Sequence, residues 1–258
     1  MADECIHGFE AGLCDSCYPR QAKEPAIAVV APGSRRNAAP KRVPGARSAA
    51  NAPAAVAQYV FAQQRLYHVT HLQNLAGIIA DEVIRADAVP AVDVSAPLTR
   101  ELRASTEVAS GDPVSHHVPF FLSPDASRWD ELRTGALGAH WSDEARASSP
   151  LDFVILVTEA GNLGPDSVLS DGDAAAPSTR FAVGADGAAP FLRRVRGDDP
   201  DFLEPEVLAP AAVPFDVISL IGVANDRVRD QVKALLRPRG DAAPKVAVYP
   251  PWFQPTGS

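Results

Sequence analysis

The chain has 258 residues, of which 46% are hydrophobic and 22% are charged, and its formal net charge is −8. This length allows one or two domains with a sizeable core. Residues 1–60 carry seven Lys/Arg against five Asp/Glu, which leaves a net charge of −10 for the rest of the chain. An acidic domain of this size excludes a broad basic face for nucleic acid, so any such contact should be local.

The sequence has no run of about 18 apolar residues and no signal-peptide pattern. We therefore expect a cytoplasmic protein with no membrane partner. All three cysteines fall within the first 17 residues, which is not the distribution of a disulfide framework.

These cysteines and one histidine form a C-x-H-x6-C-x2-C pattern made of Cys5, His7, Cys14 and Cys17. Two close pairs of soft or borderline ligands suit a tetrahedral zinc ion, and four protein ligands make such a site structural. So short a segment has no core of its own, so the metal would have to supply its folding energy. We predict a zinc knuckle over residues 1–25, which could bind single-stranded nucleic acid. The alternative is a disordered tail.

Residues 26–60 are rich in Ala and Pro and show no sustained hydrophobic period. This composition predicts a flexible, mildly basic linker. The main domain then covers residues 61–258.

The main domain opens with RLYHVTHLQNLAGII at 65–79. A strand-like run carries His68 between two large residues. Leu72, Leu75, Ile78 and Ile79 then recur at helical spacing. A strand followed at once by an amphipathic helix can form one wall of a nucleotide pocket, although a core strand with a satisfied histidine fits the same pattern.

The later elements are less regular. Residues 98–103 predict a short helix or loop, and 114–122 predict a strand whose proline suggests an edge or a bulge. Buried strands are predicted at 152–158 and 214–223, a helix at 225–236 and a final strand at 246–249. Strands outnumber helices without regular alternation, so we predict an α+β fold with a mixed sheet core and flanking helices.

Several stretches, in this order, resemble the DarT-type DNA ADP-ribosyltransferases, toxins that transfer ADP-ribose from NAD to a base in single-stranded DNA. The resemblance extends over roughly residues 65–240, which is most of the main domain. The stretches are 66–71 with Asn74-Leu75 and Ile78-Ile79, Leu102-Arg103 with 118–121, 170–174 with 179–181, and 206–208 with Pro214-Phe215 and 221–223.

The resemblance implies an NAD-dependent enzyme with an ADP-ribosyltransferase-like core. It places the catalytic glutamate at Glu206 and an arginine for NAD phosphate and the acceptor base at Arg103, with Arg100 as the alternative. It assigns NAD binding to His68, Thr70 and Asn74. Cleavage of the nicotinamide–ribose bond passes through an oxocarbenium-like centre, which a carboxylate stabilises.

The resemblance further implies single-stranded DNA as the partner substrate, a toxin or phage-defence role, and a macrodomain antitoxin that removes the mark. Glu204, two residues before Glu206, could help to activate the acceptor. One departure concerns residues 124–129, PDASRW, where the family has Arg-Ser-Pro-Met-Leu. This departure leaves RNA or protein as alternative acceptors, and a catalytically inactive binding module as a further alternative.

Overall fold

The computed structural model describes residues 60–256. The predicted zinc knuckle and all but the last residue of the predicted linker lie outside this range. Within it, the helices are α1 Leu72–Asp81, α2 Pro97–Ser105, α3 Ser127–Arg133, α4 Asp143–Ala147, α5 Gly184–Asp198 and α6 Asp226–Leu236. The strands are β1 Arg65–His71, β2 Val83–Arg85, β3 His117–Phe121, β4 Phe153–Glu159, β5 Val168–Ser170, β6 Phe181–Val183, β7 Glu206–Pro210, β8 Ala212–Pro214, β9 Leu220–Val223 and β10 Lys245–Val248.

Eight strands form one sheet in the order β10-β9-β4-β1-β3-β7-β5-β6, and β2 pairs with β8 in a small separate sheet. Neighbouring strands of the large sheet are antiparallel except for the parallel pair β9–β10. The predicted α+β class with a mixed sheet is therefore confirmed. None of the helices within residues 60–256 is both long and apolar enough to cross a bilayer.

The core forms where the central strands are buried on both faces. Six consecutive residues of β4 are buried, as the apolar run at 152–158 predicts. One face of β1 and β4 packs Tyr67 and Phe153 against Trp129 of α3 and Phe253 near the C-terminus. Helices α1 and α6 pack against each other and against β1 and β9.

The sequence explains why α1 and α6 begin where they do. His71 is the N-cap of α1, because its side chain accepts a hydrogen bond from the N–H of Gln73 at 3.2 Å. Asn225 caps α6 in the same way, accepting from Val228 N–H at 3.0 Å. Helix α6 then buries residues at four-residue spacing, which is the pattern that predicts it.

Two expectations about the strands require correction. Of the two alternatives that Pro119 suggests, an edge or a bulge, the edge is excluded because β3 lies between β1 and β7. The predicted single strand at 214–223 is divided, because a 3-10 turn at Phe215–Val217 separates β8 from β9. Phe215 is fully buried there, so its apolar character reflects packing rather than an extended strand.

Gly222 of β9 allows Trp252 to pack against the sheet. A Cβ at this position would lie 2.6 Å from the Trp252 ring. We expect Gly222→Ala to lower the free energy of unfolding by about 1–3 kcal/mol, since overpacking forces neighbouring groups apart. The measurement is urea denaturation. Gly77→Ala is the control, because nothing lies within 4 Å of its added Cβ and alanine favours the helix. Equal losses in both variants would contradict the explanation.

Candidate active site

The sheet is split between β1 and β3. Strand β1 pairs with β4 over seven residue pairs, but with β3 only at Tyr67 and Phe121. Pro119 has no N–H with which to continue a ladder. Its carbonyl instead accepts a hydrogen bond from Nδ1 of His68 at 2.9 Å. The proline that suggests an edge in the sequence therefore lies at an internal opening of the sheet.

Two adjoining cavities open along this split. One has a volume of about 180 Å³ and the other about 780 Å³. His68, Val69, Pro119 and Arg103 line both. The larger cavity is large enough to hold part of a dinucleotide, and the smaller has predominantly apolar walls.

Glu206 lies at the smaller cavity as the first residue of β7 and is only 2% exposed. Its Oε2 accepts hydrogen bonds from both Nη atoms of Arg103 at 3.3 Å, and its Oε1 accepts from Ala174 N–H at 3.2 Å. Its own N–H donates to Ser170 Oγ at 3.0 Å. Burial of a carboxylate is costly unless it is paired and hydrogen-bonded, and these contacts meet both conditions.

The structure brings Arg103, and not Arg100, to this carboxylate. Both arginines belong to α2, one turn apart. Arg100 Nη1 contacts Asp93 Oδ2 and the carbonyl of Ser95, each at 2.6 Å, and so ties α2 to the preceding loop. Arg103 extends inwards, and 19% of its side chain is exposed.

His68 has a defined tautomer. Because a carbonyl can only accept, the contact with Pro119 requires the proton on Nδ1, which leaves Nε2 as an acceptor. Burial lowers the pKa of His68 below its usual 6.5, although the hydrogen bond to Pro119 partly opposes that shift. A neutral imidazole can accept a hydrogen bond from a sugar hydroxyl.

Thr70 and Asn74 line the larger cavity with His68. The amide of Asn74 pairs with the backbone of Val92 through two hydrogen bonds of 2.9 Å, and it also donates to Thr70 Oγ1 at 3.4 Å. Asn74 therefore fixes the loop that forms one wall of the cavity.

Two charged residues at the smaller cavity are absent from the predicted site. Arg128 of α3 forms an ion pair with Asp173 and contacts Glu131 at 3.3 Å. Burial would raise the pKa of Asp173, but the Ala175 N–H and the guanidiniums of Arg128 and Arg103 hold it below the usual value. Both segments are noted in the sequence, 124–129 as a departure from the family pattern and 170–174 as a stretch that resembles it, but nothing local indicates that they meet.

Glu204 is exposed in the loop before β7, and its N–H donates to Asp199. Strand β7 begins at Glu206, so the two glutamates do not share a strand face. The role suggested for Glu204 stays a prediction.

The four predicted zinc ligands, Cys5, His7, Cys14 and Cys17, lie outside the described residues. From residue 60 to residue 256, no group of three or more His, Cys, Asp or Glu could hold a metal ion.

Several solved structures share this fold. The Thermus sp. 2.9 DarT in complex with ADP-ribosylated ssDNA superposes with a TM-score of 0.63 at 20% identity, over 74% of this chain and 96% of that chain. The same Thermus protein in complex with NAD+ gives 0.59, over 74% and 97%. DarTG of Thermosipho africanus in complex with ADP-ribose gives 0.58 at 17% identity, over 74% of this chain and 51% of that one. The fold is thus of the ADP-ribosyltransferase class.

Comparison of sequences identifies the family more specifically than comparison of folds. A "DNA ADP-ribosyl transferase" of Mycobacterium tuberculosis is 27% identical over 194 residues, which is 68% of this chain and 83% of the relative. A protein of the same description from Mycobacterium bovis matches to the same extent. The family model described as "ssDNA thymidine ADP-ribosyltransferase, DarT" matches residues 67–254. The chain belongs to this DarT family.

The lowered pKa of His68 makes stability depend on pH. The unfolded state takes up the proton more readily, so this contribution is present above about pH 6.5 and is lost as the pH falls through the folded pKa. We expect His68→Asn to reduce the pH dependence of the unfolding free energy between pH 7 and pH 5, by at most about 1.4 kcal/mol per pH unit for one proton.

Urea denaturation at pH 5, 6 and 7 measures this dependence. The control is His116→Asn, which makes the same replacement at an exposed histidine that lines neither cavity. His71, whose pKa burial also lowers, remains in both variants, so the slope should decrease without vanishing. An identical slope in wild type and His68→Asn would contradict the assignment.

Proposed function

We propose that the protein transfers ADP-ribose from NAD to a thymidine base of single-stranded DNA at the split between β1 and β3. The observation that carries the residue assignment is the Glu206 carboxylate, buried at this opening and held by Arg103 and Ala174 N–H. Membership of the DarT family supports the reaction and its acceptor.

The two cavities divide the dinucleotide between them. In the larger cavity, His68 and Thr70 offer polar atoms for the adenosine ribose, and Asn74 supports the wall. Arg103 lines both cavities, where a guanidinium can donate to the phosphates. The apolar walls of the smaller cavity, which include Phe121, Trp129 and Phe153, suit the flat nicotinamide ring.

Glu206 acts on the ribose carbon at which the base takes the place of nicotinamide. The bond from this carbon to the nicotinamide nitrogen breaks, and its electron pair leaves with neutral nicotinamide. A nitrogen of the base then forms the new bond and loses its proton, so the reaction releases one proton overall. The carbon is electron-deficient between these events, and a fixed carboxylate stabilises it without reorganisation. Ala174 N–H, which donates to the carboxylate, and Ser170 Oγ, which accepts from the Glu206 N–H, hold Glu206 for this role.

A toxin role with a macrodomain antitoxin is the biological setting that we propose. The likeness to Thermosipho africanus DarTG, solved with ADP-ribose, is consistent with it. The acidic main domain gives a reason for the N-terminal region, since a zinc knuckle over 1–25 and the basic linker could deliver single-stranded nucleic acid to the site.

Glu206→Gln tests the assignment. The amide keeps the size of the side chain and removes its charge, so we expect transfer to fall by about 10²–10³-fold, as when one group that stabilises the transition state is lost. Mass spectrometry of oligonucleotides incubated with NAD measures transfer, and fragmentation identifies the modified base. NAD should still raise the melting temperature of the variant, which shows that its site is folded.

Glu144→Gln is the matched control and should keep transfer within about threefold, because this glutamate is exposed and lines neither cavity. Full activity of Glu206→Gln would exclude Glu206 as the catalytic group. If nicotinamide is released and ADP-ribose is found on RNA or protein but not on DNA, the acceptor is RNA or protein and not DNA. If NAD is neither bound nor consumed by the wild-type protein, the binding-module alternative would stand.

The zinc site has a separate test. We expect elemental analysis of the purified full chain to find about one zinc per chain, bound by the four ligands Cys5, His7, Cys14 and Cys17. Double replacement of Cys14 and Cys17 by serine should remove it, because two ligands cannot hold a structural zinc. Equal zinc in both proteins would contradict the assignment.

A further inference from the structure

Arg128 lies in the active-site cavity, yet the mechanism above does not use it. It belongs to the segment in which the sequence departs from the family pattern. We propose that Arg128 contacts a backbone phosphate of the acceptor strand and thereby positions the reacting base, an inference that rests on the proposed function.

Hydrogen bonds and ion pairs that hold α3 in place also fix the position of the Arg128 backbone. Its neighbour Trp129 is buried and donates from Nε1 to the carbonyl of Trp252 at 2.6 Å. The N–H of Ser127 donates to Leu203 O at 2.8 Å. At the other end of α3, Arg133 is fully buried and pairs with two aspartates. The helix cannot rotate without breaking these contacts, so the base of the Arg128 side chain has a defined position.

The order of residues along the cavities separates Arg128 from the NAD phosphates. Thr70 and Asn74 line only the larger cavity, Arg103 lines both, and Arg128 lines only the smaller. With the adenosine half in the larger cavity, the pyrophosphate passes Arg103 and the reacting sugar lies at Glu206. Arg128 is then beyond the reacting carbon, on the side from which an acceptor can arrive.

The Arg128 guanidinium keeps N–H groups that can donate to an anion. Its Nη1 contacts Glu131 and its Nη2 contacts Asp173, which uses two of the five N–H groups of a guanidinium. Glu131 also accepts from Trp141 Nε1 at 3.1 Å and contacts His140, so its carboxylate is shared among several donors. The Arg128 side chain is 30% exposed. Its free N–H groups form a planar fork that matches a phosphate.

The charge of the main domain favours such a contact. Outside the first 60 residues the chain has a net charge of −10, so a polyanion must be held by individual cations. In the described part of the chain, Arg103 and Arg128 are the two arginines that line the smaller cavity. With Arg103 assigned to NAD, Arg128 is the cation left for the acceptor.

Asp173 connects this contact to the catalytic carboxylate. It pairs with Arg128, and the next residue, Ala174, donates its N–H to Glu206. Thr179 Oγ1 donates to the Asp173 carbonyl at 2.6 Å and Asp173 Oδ1 accepts from Ala175 N–H, so the turn is well fixed. Asp173 is therefore a positioning residue for Arg128.

The experiment compares Arg128→Gln with wild type in steady-state transfer to a thymidine-containing oligonucleotide. We expect KM for the oligonucleotide to rise about tenfold, and the slope of log affinity against log salt to decrease by about 0.7, the value for one phosphate contact on a single strand. KM for NAD and nicotinamide release without DNA should stay within about twofold. Arg227→Gln is the matched control, because it removes an equal charge from an exposed site on α6.

Two further variants distinguish a direct phosphate contact from an indirect effect of the unpaired Asp173. Arg128→Lys keeps the charge but loses the planar guanidinium, and it should raise the oligonucleotide KM by about two- to fivefold. This variant still tests the proposal if Arg128→Gln fails to fold. The double variant Arg128→Gln with Asp173→Asn removes the carboxylate that the single variant leaves unpaired. A defect that persists in it supports a direct phosphate contact. A return to the wild-type KM would overturn the proposal, because repulsion by Asp173 would then explain the defect.

Equal increases in KM for NAD and for the oligonucleotide would assign Arg128 to the NAD site and overturn the proposal. An unchanged oligonucleotide KM in the single variant would also overturn it. Both outcomes are distinct from failure of the proposed function, in which the wild-type protein itself would neither modify DNA nor release nicotinamide.

Discussion

The separation of β1 from β3 is the constraint on which the rest of the site depends. In a continuous antiparallel sheet the backbone groups of these strands would pair, and no cavity could form between them. Pro119 removes a donor from β3, and His68 satisfies the proline carbonyl from a side chain. The Pro119 carbonyl at this opening is therefore not left unsatisfied, because the His68 side chain takes the place of the backbone N–H that a continuous ladder would supply.

The same opening explains how Glu206 can be buried and still line a cavity. Strand β7 continues the sheet on the far side of β3, with Glu206 opposite Phe121 at the point where β3 still touches β1. The carboxylate is therefore carried by paired backbone and not by a mobile loop. The turn after β5 supplies Ala174 N–H and the β5 terminus supplies Ser170 Oγ, so three strands and one turn fix a single side chain.

Sequence reasoning succeeded where the signal is local. The apolar run of β4 and the helical spacing of apolar residues in α1 and α6 each specify their element without distant partners. It failed where contacts between distant parts of the chain determine the structure. Helix α5 is not among the predicted elements. Gly184, Gly187 and Pro190 disfavour a helix, yet Leu192 and Val195 are buried and the helix is stabilised by packing. Arg128 and Asp173 are 45 residues apart, and no pattern in either segment indicates the other.

The charge balance of the smaller cavity links substrate binding to chemistry. Two arginines and two carboxylates line it, so without substrate they neutralise one another. If Arg103 donates to the NAD phosphates, it gives up part of its contact with Glu206 Oε2, and the carboxylate keeps the hydrogen bond from Ala174 N–H. In the proposed reaction, the positive charge that develops on the ribose carbon would then take the place of the guanidinium as the partner of Glu206. Such a site would offer its carboxylate most fully when NAD is bound, so that the proposed catalysis would depend on a preformed charge and not on movement of the backbone.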